Sequence, residues 1–262
     1  MELFDSHAHY NDEKFNSDRE EIIQKVYESG VTKLVNAGYS LNSSKLAFEI
    51  ARNYDWMYTI SGISPNDIPK TSDLLDKQLE ELTKWINQMK DTNKIIGIGE
   101  IGLDYYWNKD NIELQKYTFI RQIQLANNLE LPIVIHTREA VMDTLQTLKE
   151  HTVIKKGVFH CCPLNRELVK EALKLGFYIS FAGPITFKNA RNANEIIEMV
   201  PLDRILIETD SPYLSPEPYR GKRNDSRNVK YMAEKIAEVK QMETDKIAKI
   251  IYENTCKIFN IY

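Results

Sequence analysis

The chain is poor in the features that mark exported or membrane-embedded proteins. Only three cysteines occur in 262 residues, two of them adjacent at Cys161 and Cys162. They make no disulfide framework, so a reducing compartment is expected. No run approaches the roughly 18 consecutive apolar residues of a membrane span, and Asp5 and His7 interrupt any apolar signal at the start. These absences predict a cytoplasmic protein with no membrane association. Nothing in the sequence calls for a stable protein partner. Positive charge is also in short supply: 34 Lys and Arg against 38 Asp and Glu leave a net −4. That argues against a protein that coats nucleic acid through bulk charge, but not against an enzyme that grips phosphates locally. Gly/Ser-rich linkers and low-complexity segments are missing too, and the length suits one core, so residues 1–262 are expected to form a single domain.

What the chain does contain is a repeated pattern. Short β-rich apolar runs at residues 2–7, 33–37, 57–62, 95–100, 132–136, 157–160, 177–181 and 204–210 alternate with segments of helical apolar spacing. Ser17-Asp18-Arg19-Glu20 has the form of a capping box opening a helix whose Ile22, Ile23 and Val26 share a face, with Gly30 as its stop. Leu75, Leu79, Leu82 and Ile86 mark another helix, and Leu168, Val169, Ala172 and Leu173 a third; two more, at about 226–240 and 244–259, end the chain. Alternating strands and helices mean right-handed crossovers and a parallel sheet. Eight units in this length predict an α/β fold, a closed (β/α)₈ TIM barrel. The rival, an open doubly wound sheet, lacks its usual Gly-rich turn after the first strand.

Histidine is scarce, and its placement is informative. Four of the five histidines, His7, His9, His136 and His160, fall where apolar runs finish, as do Glu100 and Asp210. Strand carboxyl ends carry the active site in such a barrel. Any one of these histidines alone reads as a surface or satisfied core residue; together they point to a metal site, since buried imidazoles and acids are costly without partners. The fifth, His151, reads as a solvated helix end. Six ligand-type residues over-fill one catalytic zinc site but suit two ions, with Glu100 bridging. Asp5 either orients an imidazole or is a polar core residue. Cys161 is expected to be a buried structural thiol facing away from His160.

The motifs Asp5-Ser6-His7-Ala8-His9, Gly99-Glu100-Ile101-Gly102-Leu103-Asp104-Tyr105-Tyr106, His136-Thr137-Arg138-Glu139-Ala140, Phe159-His160-Cys161 and Glu208-Thr209-Asp210-Ser211-Pro212-Tyr213-Leu214, followed by Pro218-Tyr219-Arg220-Gly221-Lys222-Arg223-Asn224, run in order along the chain. In these the sequence resembles the TatD family of metal-dependent DNases in the amidohydrolase superfamily. The resemblance implies that His7, His9, Glu100 and Asp210 hold one divalent ion and Glu100, His136 and His160 a second. It also implies phosphodiester hydrolysis, with DNA trimmed from 3′ to 5′. The alternative is a hydrolase of a small-molecule amide, lactone or phosphoester. Imidazole ligands favour zinc or manganese, whereas the family implies magnesium-supported activity.

The sequence departs from the family twice: Gly62-Ile63-Ser64-Pro65-Asn66 stands for Gly-x-His-Pro-His, and His160-Cys161-Cys162-Pro163-Leu164 for His-Cys-Phe-Ser-Gly. Both changes touch the wall that would face substrate. Asp210 and Glu100 are the expected catalytic acids, with Asp210 taking a proton from a metal-activated water. Arg138 and Ser64 are expected to contact substrate. The basic stretch of Arg220, Lys222 and Arg223, with Arg227 and Lys230, either grips phosphate or is a solvated loop. Tyr105, Tyr106, Trp107, Tyr213 and Tyr219 either stack bases or pack.

Overall fold

The structure, a computed structural model, describes residues 1–261; Tyr262, the last residue of the expected domain, lies outside them. Eight strands, β1 (Leu3–Ala8), β2 (Val31–Ala37), β3 (Met57–Ser61), β4 (Ile95–Asp104), β5 (Ile133–Arg138), β6 (Gly157–Phe159), β7 (Tyr178–Phe181) and β8 (Ile205–Ile207), pair in parallel in chain order. The ring closes where Asp210 N–H donates to the His7 carbonyl at 2.9 Å and His9 N–H to the Ser211 carbonyl at 2.6 Å. Around it run α1 (Arg19–Glu28), α2 (Leu41–Ala51), α3 (Ser72–Met89), α4 (Ile112–Leu129), α5 (Val141–Glu150), α6 (Arg166–Lys174), α7 (Ala193–Met199), α8 (Val229–Lys240) and α9 (Thr244–Phe259). This is the expected (β/α)₈ barrel. No helix of the described residues is long and apolar enough to cross a membrane.

The apolar spacing read from the sequence faces inward. Leu75, Leu79, Leu82 and Ile86 are the buried residues of α3, each contributing on the order of 1.5–3 kcal/mol by burial. A second cluster takes at least one side chain from every strand: Phe4, Val35, Ala37, Ile60, Ile96, Val134, Val158, Tyr178 and Leu206, with Phe259 and Ile261 from the end of the chain. These fill the barrel's interior, with Ile261 just beyond α9 packed against them, while the histidines gather at the opposite end of the strands.

Three expectations need correction. β4 runs four residues past Glu100, so Glu100 lies within a strand. β8 stops at Ile207, and Glu208-Thr209-Asp210 leaves the ladder to make side-chain contacts and the left-handed turn at Asp210 (φ 55°). Ser17 does not cap α1. The cap position is Asp18, which makes no capping bond because its carboxylate pairs in a fork with Arg223, at 2.9 and 2.5 Å. A bidentate ion pair outcompetes a neutral amide for that carboxylate.

Gly102 explains how β4 and β5 lie so close. It sits opposite His136 with φ +141°, and a Cβ there would be 2.0 Å from the His136 carbonyl oxygen. Gly102→Ala is expected to cost about 2 kcal/mol or more through strain and to lower the Tm in thermal unfolding by several degrees. An unchanged Tm would show that the β4–β5 contact can yield.

Candidate metal centre

Two irregularities in the sheet aim the polar residues into the mouth. On β1 the register advances from Asp5 opposite Leu34 to Ala8 opposite Asn36. On β4 it advances from Ile98 opposite Ile133 to Ile101 opposite Ile135. In each, one extra residue is inserted, the geometry of a β-bulge, which re-aims side chains beside it. The first falls at Ser6-His7 and the second at Gly99-Glu100.

The six expected residues converge. His7 Nε2 and His9 Nε2 lie 3.2 Å apart, and His136 Nδ1 and His160 Nε2 lie 3.1 Å apart. The two oxygens of Glu100 divide between these pairs. Oε2 is 3.5 Å from His7 and 3.8 Å from His9; Oε1 is 2.9 Å from His136 and 3.4 Å from His160. Asp210 Oδ1 lies 3.2 Å from His9 Nε2 and 3.8 Å from His7 Nε2. Two nitrogens each about 2.0–2.1 Å from a tetrahedral ion would be roughly 3.3 Å apart. Three overlapping sets of donor atoms lie close enough together to hold a divalent ion: His7, His9 and Glu100; Glu100, His136 and His160; and His7, His160 and Asp210.

Groups behind the ring fix the imidazoles. His9 Nδ1 meets the Ala37 carbonyl at 3.0 Å, His136 Nε2 meets Asp104 Oδ2 at 2.9 Å, and His160 Nδ1 meets Glu208 Oε1 at 3.3 Å. Such outer contacts hold a ring's tautomer and orientation. His7 Nδ1 and Glu208 Oε2 are buried without a hydrogen-bond partner.

Charge in the pocket is strongly coupled. Burial alone would raise Glu100, but the imidazoles of His160, His136 and His7 hold its carboxyl well below the usual range. Burial alone would lower His160, yet Glu100 and Glu208 raise it well above. His136 is likewise raised against burial, by Asp104 and Glu100. Burial and the neighbouring His160 lower His7.

The remaining expected residues divide. Arg138 and Ser64 line the cavity of about 930 Å³ that contains the centre. Arg138 stacks on Tyr106, 3.9 Å from the ring centroid. Arg220, Lys222 and Arg223 are not brought to this cavity: Arg220 covers Phe187, Lys222 lies over Tyr219, and Arg223 is bound to Asp18. Trp107 and Tyr213 line the cavity, whereas Tyr105 donates to Asp143 at 2.7 Å and Tyr219 packs on Tyr231. Asp5 touches neither imidazole. It accepts from Thr209 N–H at 3.0 Å and the Thr209 hydroxyl at 2.6 Å, and so fastens β1 to the segment after β8. Cys161 does not face away: with β6 ended at Phe159, it takes φ +37° and lines the cavity. Burial, reinforced by Asp210 and Glu208, pushes its thiol well up.

Asp104 and Glu208 lie in motifs quoted above, yet nothing in the sequence assigned them these contacts. Spacing could have found them, because Asp104 is four residues beyond Glu100 on one strand and Glu208 two before Asp210. Asp67, which also lines the cavity, was missed as well.

Two outcomes follow for metal binding. Because His136 and His160 hold protons more tightly than free imidazole, uptake of ions should release protons and weaken as pH falls. Calorimetry in buffers of different ionisation enthalpy reads this, and absence of proton release would contradict it. Asp104→Ala should lower affinity about 10–100-fold in competition with a chromophoric chelator; unchanged affinity would show that Asp104 does not orient His136.

Comparison with known proteins agrees with this geometry. Residues 4–260 match the family model described as TatD related DNase. The chain is 42% identical over 260 residues to YabD of Bacillus subtilis, named an uncharacterized metal-dependent hydrolase, covering 99% of each chain. It is 34% identical to YcfH of Escherichia coli K12, named likewise, over all of this chain and 97% of the relative. Among solved structures it superposes on YJJV, a TatD homologue of Escherichia coli K12, with TM-score 0.92 and 26% identity, covering 99% of this chain and 98% of the other. With the fold, the converging side chains and these relatives in agreement, the chain belongs to the TatD family of metal-dependent hydrolases.

Proposed function

We propose that this protein is a two-metal phosphodiesterase acting on DNA, trimming it from the 3′ end. The observation that carries the reading is the division of the Glu100 oxygens between two imidazole pairs, the arrangement that two ions sharing one carboxylate need. The family description, TatD related DNase, supports the substrate. Two divalent ions held here would neutralise charge on the phosphoryl group and bring the pKa of a water from about 15.7 toward 7. Magnesium, manganese and zinc are the candidates.

The chain's own residues supply the rest. Asp210, held below its usual pKa by His9 against the effect of burial, is ready to take a proton from the attacking water. Arg138 offers a planar fork at the mouth, held by Tyr106 beneath it, for the phosphate of the substrate strand. Trp107 and Tyr213 present rings to a base.

A second reading has its own support. Leu164, Ala182, Pro184, Ile185 and Leu214 form an apolar side of the cavity, and the basic stretch at 220–223 does not reach it. Such a wall suits a small apolar ester, amide or lactone.

The deciding assay incubates metal-loaded protein with Mg²⁺, Mn²⁺ or Zn²⁺ and DNA labelled at either end, single- and double-stranded, beside RNA and a panel of esters and amides. Progressive loss from the 3′ end, abolished by chelation, is expected. Intact nucleic acid with turnover of a small substrate would instead establish the second reading. Arg138→Ala should raise KM on DNA about tenfold, the size of one charge-assisted contact of 1.5–3 kcal/mol at its lower end; an unchanged KM would remove Arg138 from the substrate site.

A further inference from the structure

The loop after β3 carries an acid that neither the ion site nor phosphate binding uses. Asp67 lines the same cavity as His9, Glu100, His136 and Asp210. Its loop is firmly held. Gln122 of α4 accepts from Ile63 N–H at 2.8 Å and donates to the Ile63 carbonyl at 2.9 Å; Ser64 N–H donates to the Tyr39 carbonyl at 2.8 Å. The neighbouring Asn66 amide donates to Asp104 Oδ2, the oxygen that also meets His136. Asp67 Oδ2 accepts the Ser64 hydroxyl at 2.7 Å. The other acids at this cavity, Glu100 and Asp210, are matched by imidazoles. Among the described residues no cation is paired with Asp67, and it is the only ionisable side chain between Gly62 and Pro69.

The position of Asp67 matters because displacement at phosphorus is in line, with entering and leaving oxygens on opposite sides. One carboxylate cannot serve both. Asp210 follows β8 and Asp67 follows β3, with β1 and β2 between them around the ring. We infer that Asp67 is the general acid, giving its carboxyl proton to the oxygen that leaves phosphorus. The inference rests on the phosphodiesterase reading above.

The step balances. The water oxygen forms the new P–O bond, and the water's proton passes to Asp210. The P–O bond to the departing oxygen breaks with its electron pair on that oxygen, which takes the proton of Asp67. Asp210 then loses a proton to solvent and Asp67 regains one, so one diester and one water yield one monoester and one alcohol. Burial pushes the Asp67 carboxyl up; the Ser64 hydroxyl opposes this and Glu100 adds to it. The Ser64 hydroxyl holds Asp67 in place, and although its donation favours the carboxylate, burial outweighs it.

The test compares Asp67→Asn with the parent on two esters of thymidine 5′-phosphate, with metal content checked by elemental analysis. The 4-nitrophenyl ester leaves as a phenolate that is stable near neutral pH and needs no acid. The thymidine 3′-ester, thymidylyl-thymidine, leaves as an alkoxide and does. Asp67→Asn should lower kcat on the dinucleotide about 100-fold or more while changing the aryl ester less than about threefold, and Asp67→Glu should recover part of the loss. Equal losses on both esters, or none on the dinucleotide, overturn the inference and leave the phosphodiesterase reading standing. A parent that cleaves neither ester overturns both.

Discussion

Everything at the mouth of this barrel answers to one electrostatic constraint: a carboxylate buried within β4 must be met by groups that stabilise its charge. Glu100 is 8% exposed, and an isolated anion so placed would take up a proton rather than remain charged. Four imidazoles meet it instead, two on each oxygen. That division makes one side chain the common member of two donor sets, so displacing Glu100 would disturb both.

The imidazoles need constraints of their own, and these come from an outer layer built by different strands. Asp104 on β4 meets a histidine on β5, Glu208 after β8 meets one after β6, and the backbone at the end of β2 meets His9. Each contact crosses between elements, so the ring of strands and the ring of polar groups stabilise one another. The bulges on β1 and β4 belong to the same scheme, trading regular pairing for side-chain aim.

Much of the barrel was legible in the sequence because parallel strands buried on both faces read as apolar runs, and helices announce themselves by periodicity. The convergence of His7, His9, Glu100, His136, His160 and Asp210 was legible for a similar reason: topology gathers strand ends whatever their separation along the chain. Contacts between side chains of distant loops were not. Nothing local to Asp18 says that Arg223 will claim its carboxylate in place of a helix cap, and nothing local to Arg220 or Lys222 says that they will settle on aromatic rings rather than face the cavity. Cys161 misled because strand alternation was extended past Phe159, where β6 has already ended.

The seam of the barrel has a consequence for how the protein matures. Asp5 binds Thr209, His7 binds Asp210, and Asp18 binds Arg223, so the first twenty or so residues are completed by the last quarter of the chain. A growing polypeptide emerging from the ribosome carries His7 and His9 from the outset but has neither Asp210 nor the strand that closes the ring. Such contacts of high sequence separation form late. Asp210 therefore joins His7 and His9 only once the last quarter of the chain has been made.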